Sequence, residues 1–245
     1  MRAVLFDLDE TLVPDYDAFL GAVDDVAAAL GAPAGMGHAL HERARPRWGQ
    51  APAATRHMRD MSSWEALWAP FSVETRAWAD GYRLGVWREA LSDHGIDDAD
   101  LARRLAESYG EHRVARCRPY PEATAALEAL RGRVRLAVVT NGMETHQRAK
   151  LDAAGLTGRF DAVVTSEAVG ASKPDPRIFH AALARIGCDA GEAVMVGDNP
   201  LRDVAGAQRA GLRGVWIDRG RRDSRGVVPD ARITHLGGLA ALGWW

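Results

Sequence analysis

Short apolar runs punctuate the chain at Ala3–Leu8, Arg135–Thr140, Phe160–Thr165, Ala193–Gly197 and Gly214–Asp218. Each is continuous rather than alternating, the pattern of strands buried on both faces of a parallel sheet. Helical periodicity fills the gaps between the later runs. Glu122–Leu130 precedes the second run, and Met143–Ala154 follows it with Gly155 as its stop. Pro176–Ile186 follows the third, framed by Asp175 as N-cap, Pro176 in the first turn and Gly187 past the end. Pro200–Ala210 follows the fourth, with Gly211 beyond it. Strands alternating with helices predict βαβ units.

The first run breaks this rhythm. After Leu12 no second strand pattern appears for more than a hundred residues. The stretch from Asp15 to Arg116 reads as helical, with turn signals near Gly31–Gly35, Gln50–Pro52, Ala69–Ser72 and His94–Asp97. Such a block between the first and second strands predicts a separate all-helical domain over 15–117, inserted into a core of 1–14 and 118–245. The two crossings fall at Pro14–Asp17 and Arg116–Pro121. The predicted fold class is therefore α/β: a Rossmann-like parallel sheet core carrying a helical insert. No internal repeat or low-complexity tract is present.

Composition narrows the function classes. The chain has 245 residues, 47% of them hydrophobic, and a net charge of −2. That is enough apolar material for a sizeable core and too little charge imbalance for a disordered chain. A sequence pI of about 6.5 gives no nucleic-acid footprint. No apolar run approaches a membrane span, and Asp7 interrupts the N-terminal run, against a signal peptide. Cys117 and Cys188 form neither a disulfide framework nor a zinc spacing. The expected setting is the cytoplasm, as a monomer or homodimer. Of 31 basic residues only Lys150 and Lys173 are lysines, and the other 29 are arginines. Coding bias explains the ratio, but it makes each lysine informative.

Candidate chemistry lies at one end of the sheet. Ligands of open parallel sheets bind at the carboxyl ends of the strands. The first run ends in Asp7-Leu8-Asp9-Glu10-Thr11 and the second in Thr140-Asn141-Gly142. Ser172-Lys173-Pro174 follows the third, and the fourth ends in Gly197-Asp198-Asn199-Pro200-Leu201-Arg202-Asp203. Taken singly these are ordinary: Asp198 and Asp203 suit a helix start, Asn141-Gly142 is a turn signal, and Lys173 is a loop residue. Taken together they place carboxylates, a hydroxyl and an ammonium at one end of four strands. Asp7 and Asp9, two apart, would share one face of an extended strand and repel unless a cation joins them or one is protonated. Phosphoryl transfer asks for this set. Carboxylates hold a hard divalent ion, one carboxylate serves as nucleophile, and a second moves the proton. Thr140, the N–H groups around Asn141-Gly142 and Lys173 would neutralise the transferring group.

The motifs DLDET, VVTNG, SKPDP and GDNPLRD, in this order, resemble the four motifs of the haloacid dehalogenase superfamily of hydrolases, and the insert resembles its C1 helical cap. The resemblance implies Asp7 as nucleophile and Mg2+ ligand. It implies Asp9 as general acid/base, its main-chain carbonyl also on the metal, and Asp198 as a further metal ligand. Thr140 and Asn141 would bind phosphoryl and Lys173 would balance charge, with Asp203 orienting Lys173 or a metal-bound water. Dehalogenating members lack the acid two residues after the nucleophile, whereas Asp9 is present. Phosphonate-cleaving members need a cap lysine, and none lies between Asp15 and Arg116. The implied activity is a magnesium-dependent phosphatase acting on a small phosphorylated metabolite. A phosphomutase of the β-phosphoglucomutase type and a non-catalytic phosphate-binding protein are the alternatives.

In the insert, Trp64/Trp68 and Trp78/Tyr82 are four apart, the spacing of packing stripes. The stretch Arg43–Arg59 reads as less regular. Within it Arg45, Arg47, Trp48 and Arg56 are candidates for recognising the leaving group, against the plainer reading of a solvated basic face. The basic run Arg219–Arg225 reads as a surface loop, and Trp244-Trp245 as packing on the core or on a second subunit.

Overall fold

The computed structural model describes residues 1–52, 61–69 and 71–245. It divides the chain into two compact units, one of Met1–Pro14 with Arg118–Trp245, the other of Asp15–Cys117.

In chain order the elements are β1 (Ala3–Phe6), α1 (Asp15–Leu30), α2 (Met36–Gly49), α3 (Val73–Ser92), α4 (Ala99–Ala115), α5 (Ala123–Leu130), β2 (Arg135–Thr140), α6 (Glu144–Ala153), β3 (Ala162–Thr165), α7 (Ser166–Val169), α8 (Pro176–Ile186), β4 (Ala193–Gly197), α9 (Ala205–Arg209), β5 (Arg213–Ile217) and β6 (Ala231–Ile233). The strands form one six-stranded sheet in the order β3-β2-β1-β4-β5-β6, every pair parallel. Both faces are covered, which is why the runs are continuous. Val4, Phe6, Val138, Val194, Val196 and Val215 point into one apolar cluster. Ala3, Leu5, Ala137, Val139, Ala193 and Met195 point into the other, against Ile178, Phe179 and Ala182 of α8. Trp244 and Trp245 pack on the first cluster.

The strand order reverses between β1 and β4. At such a switch point the loops leaving the two strands diverge to opposite faces and open a crevice at their carboxyl ends. Asp7 follows β1 and Asp198 follows β4, so the topology puts both carboxylates at that crevice.

Three local readings are corrected. The third strand begins at Ala162 rather than Phe160. The segment read as a helix over Pro200–Ala210 opens as a wide π-turn, Pro200–Val204, before α9. Its cap is Asn199, whose side chain accepts from the N–H groups of Leu201 and Arg202. A sixth strand, Ala231–Ile233, was not foreseen.

In the helical unit, α1 buries Phe19, Ala22, Val23 and Val26, α4 buries Leu105 and Tyr109, and α3 buries Val86 and Trp87. Arg113 is fully buried and pairs with the equally buried Asp15, whose Oδ2 accepts from Trp64 Nε1 at 2.8 Å. Such a buried pair holds only while both partners and their hydrogen bonds are in place.

Candidate active site

The site begins with backbone geometry. Extended structure ends at Phe6. The Asp7 N–H still donates to Val196 O at 2.9 Å, but the chain then coils. Leu12 and Val13 both donate back to Leu8 O, and Glu10 takes a left-handed φ of 61°. The motif is therefore not a straight strand, and the Asp7 and Asp9 side chains diverge instead of sharing one face. Asp7 turns to Lys173, whose Nζ donates to Asp7 Oδ1 at 2.6 Å. Asp9 turns to Lys150, whose Nζ donates to Asp9 Oδ1 at 2.8 Å.

Lys173 is 3% exposed and donates also to Asp203 Oδ1, at 2.7 Å. Asp203 Oδ2 accepts from the Asn199 N–H at 2.9 Å, so the π-turn folds this carboxylate back beneath the end of β4. The approach is close. A Cβ on Gly197 would lie 2.3 Å from Asp203 Oδ2. Asp203 is held from two sides and cannot yield, so Gly197→Ala is expected to cost about 1–3 kcal/mol. Urea unfolding measures this, and an unchanged midpoint would show that the turn has room.

Asp7, Asp198 and Asp203 are all buried, with one carboxylate oxygen of each within 4.8 Å of the others. Burial, opposed by Lys173 and aggravated by the Asp203 charge, pushes Asp7 up to about 6. Burial and the Asp203 and Asp7 charges push Asp198 up to about 7, against the pull of Arg222. Burial by itself would depress the Lys173 ammonium, but Asp203 and Asp7 outweigh it and the net shift is upward.

Other sequence candidates take more specific places. Thr140 ends β2, 1% exposed, in register with Thr165. The Asn141 carboxamide clamps the Lys173 backbone, accepting from its N–H at 2.8 Å and donating to its carbonyl at 3.1 Å. The Gly142 N–H donates to Ser166 Oγ at 2.9 Å. The Asn141 carboxamide and the Gly142 N–H are thus engaged in holding the corner.

In the helical unit the stretch read as less regular is helical through Gly49, since α2 includes Arg45, Arg47 and Trp48 and continues through Pro46. Arg47 pairs with Glu89. The Trp48 ring lies 5.8 Å from Trp78 and 5.9 Å from Tyr82, and its Nε1 donates to Met61 O at 3.1 Å. Trp48 is therefore a packing residue of this unit, and Arg45 is exposed on its helix. Arg56 lies outside the described residues.

Three side chains at the site were missed. Arg222 Nε donates to Asp198 Oδ2 at 2.7 Å from the loop read as mere surface. Lys150 is fully buried on α6 against Asp9. Gln147, also fully buried, donates to Asn141 O at 3.0 Å and reaches Asp9 Oδ2 at 3.5 Å. A signal existed for the last two. In Met143–Ala154 the positions that a 3.6-residue period assigns to the buried face include Gln147 and Lys150, where apolar residues belong.

Comparison with known proteins agrees with this geometry. A family model described as haloacid dehalogenase-like hydrolase matches residues 1–211. The phosphoserine phosphatase of Thermus thermophilus is 41% identical over 247 residues, covering 96% of this chain and 96% of its own. Among solved structures, a HAD phosphatase from Thermococcus onnurineus is 29% identical with a TM-score of 0.62, covering 99% of this chain and 97% of its own. A 2-haloacid dehalogenase from Pseudomonas syringae pv. Tomato is 30% identical with a TM-score of 0.62 over the same shares. Among the described residues no helix is long and apolar enough to cross a membrane. With its parallel sheet and the carboxylates gathered at the β1/β4 crevice, the chain belongs to the haloacid dehalogenase-like hydrolases.

Proposed function

We propose that this hydrolase is a Mg2+-dependent phosphatase that cleaves a small phosphomonoester through an aspartyl-phosphate on Asp7. The observation that carries the reading is the buried Asp7 carboxylate, gripped by Lys173 at 2.6 Å with Asp198 and Asp203 beside it. Three buried acids are served by two cations, Lys173 on Asp7 and Asp203 and the partly exposed Arg222 on Asp198, which still leaves an excess of negative charge. Burial first, and then the charge of the neighbouring acids, raises the proton affinities of Asp7 and Asp198, and a hard divalent cation with oxygen ligands answers both. Asp7 and Asp198, with the Asp9 carbonyl, would hold the ion. When bound, it supplies positive charge to the phosphoryl oxygens and to the nucleophile.

The chain's own residues then divide the work. An Asp7 oxygen attacks phosphorus as the bond to the leaving oxygen breaks. Asp9 gives its proton to that leaving oxygen, and afterwards takes one from the water that attacks the phosphorus of the intermediate, freeing Asp7 and inorganic phosphate. Lys173, held by Asp203 and by the Asn141 clamp on its backbone, neutralises the transferring group. Thr140 stands at the same strand ends to contact a phosphoryl oxygen. The presence of Asp9 two residues after the nucleophile favours phosphate over halide chemistry.

The near full-length similarity to a phosphoserine phosphatase supports a small phosphomonoester as the substrate class, with phosphoserine the first compound to try. A cytoplasmic setting belongs to the same reading, in keeping with two free cysteines, Cys117 and Cys188. The test is hydrolysis of p-nitrophenyl phosphate and of a panel of phosphoserine, nucleotides and sugar phosphates. Turnover is expected with Mg2+, and at least a tenfold loss with EDTA, restored by added Mg2+. Folded protein that turns over no panel member would overturn the reading.

A further inference from the structure

The chain uses arginine for nearly every cation, yet its two lysines meet the two carboxylates of the Asp7-Leu8-Asp9 motif. Lys173 is on Asp7 and Lys150 is on Asp9. Both ammonium groups are buried, Lys150 completely. A buried lysine is costly unless paired, and at a crowded carboxylate a compact ammonium fits where a forked guanidinium does not. Lys150 sits on α6 three residues after Gln147, so both lie on the helix's buried face. They reach different oxygens of Asp9: Lys150 Nζ reaches Oδ1 at 2.8 Å, and Gln147 Nε2 reaches Oδ2 at 3.5 Å. Two donors from one rigid helix on two oxygens define both the direction of the Asp9 side chain and the rotation of its carboxyl plane. Gln147 also holds Asn141 O, which ties this arrangement to the corner that clamps Lys173.

We propose that Lys150, together with Gln147, is the positioning residue for Asp9, aiming its carboxyl group at the leaving-group oxygen. The inference rests on the reading of Asp9 as the acid/base. Lys150 touches neither phosphorus nor leaving group, and its whole effect on the reaction passes through Asp9. Without it Asp9 loses its aim.

The experiment compares two substrates that differ in their need for a proton. An alkyl phosphate such as phosphoserine has a poor leaving group, whereas 2,4-dinitrophenyl phosphate has one that departs without protonation. For K150M, kcat/KM, which reports the step forming the aspartyl-phosphate, is expected to fall about 10–100-fold on the alkyl phosphate. It should change less than about threefold on the dinitrophenyl ester, whose departure makes no call on Asp9. D9N should show the same selectivity more strongly, and the double variant D9N/K150M should match D9N. Should K150M not fold, as judged by circular dichroism, K150Q carries the same comparison. Equal losses on both substrates, or a further loss from K150M in the D9N background, would mean that Lys150 merely supports the fold and would overturn the proposal. If D9N itself falls equally on both substrates, the reading of Asp9 fails instead.

Discussion

Asp7→Asn is expected to lower kcat by about 10^4-fold or more while leaving the fold intact. Asparagine keeps the size of the side chain and an oxygen that can still accept from Lys173 Nζ, now 2.6 Å from Asp7 Oδ1. What it loses is the anionic nucleophile, and no other carboxylate can substitute. Asp198 is tied to Arg222 and Asp203 to Lys173 and the Asn199 N–H. Stability should move the other way. Asp7 is raised to about 6 in the folded protein, chiefly by burial, from an ordinary value of 3.8. The folded state thus favours the protonated acid. The advantage is complete below pH 3.8 and is lost as pH rises through about 6. Asparagine has no proton to lose. In the cation-free protein the variant should therefore gain on the wild type between about pH 5 and about pH 8, by an amount on the order of 1–3 kcal/mol. Thermal melts in EDTA at the two pH values measure this. Turnover above about 1% of wild type would remove Asp7 from the nucleophile role. A variant that loses ground at the higher pH would show that the Asp7–Lys173 attraction outweighs burial.

Five strands were legible because both sheet faces are buried, so each strand is a continuous apolar run. The sixth was not. Ala231–Ile233 is a three-residue edge strand with Arg232 exposed, too short to carry a period. The site was legible for a related reason: polar residues following an apolar run mark the carboxyl end of a strand, where parallel sheets bind ligands. The aim of those residues was not legible, because the direction of Asp7 and Asp9 depends on where extended structure stops and on the left-handed turn at Glu10. Pairings made at long range were hidden too. Arg222 reaches back 24 residues to Asp198, and Lys150 meets Asp9 across 141 residues. Asn141 shows the same limit at closer range, since its motif suggests a phosphate contact while its carboxamide is occupied by the Lys173 backbone.

Lys173→Met is expected to give the largest loss of stability of any single change at the site. The ammonium donates to Asp7 Oδ1 and Asp203 Oδ1 within a pocket where all three groups are buried. Methionine fills similar volume and leaves those acids, with Asp198 beside them, without their cation. Breaking a buried pair in this way costs about 3–5 kcal/mol. At about 2–4 °C per kcal/mol for a chain of this size, Tm should fall by about 10 °C. The pH dependence separates charge from packing. Burial works against the Lys173 ammonium, but Asp203 and Asp7 raise it above its ordinary 10.5. The wild type therefore keeps this contribution throughout the neutral range and loses it only as pH rises through that raised value. In the variant, Asp7 and Asp198 should move above their present values of about 6 and 7. Near pH ~5 they can protonate and relieve the repulsion; near pH ~8 they must ionise against it or remain protonated at a cost. The Tm gap between wild type and variant should consequently widen over that range, and added Mg2+ should narrow it at the upper end. Hydrolysis should fall about 10^2–10^3-fold even with Mg2+ present, because the transferring phosphoryl group loses its fixed cation. A Tm gap that does not change with pH would show that the Lys173 stem contributes packing alone, and would detach this lysine from the charge balance on which the site depends.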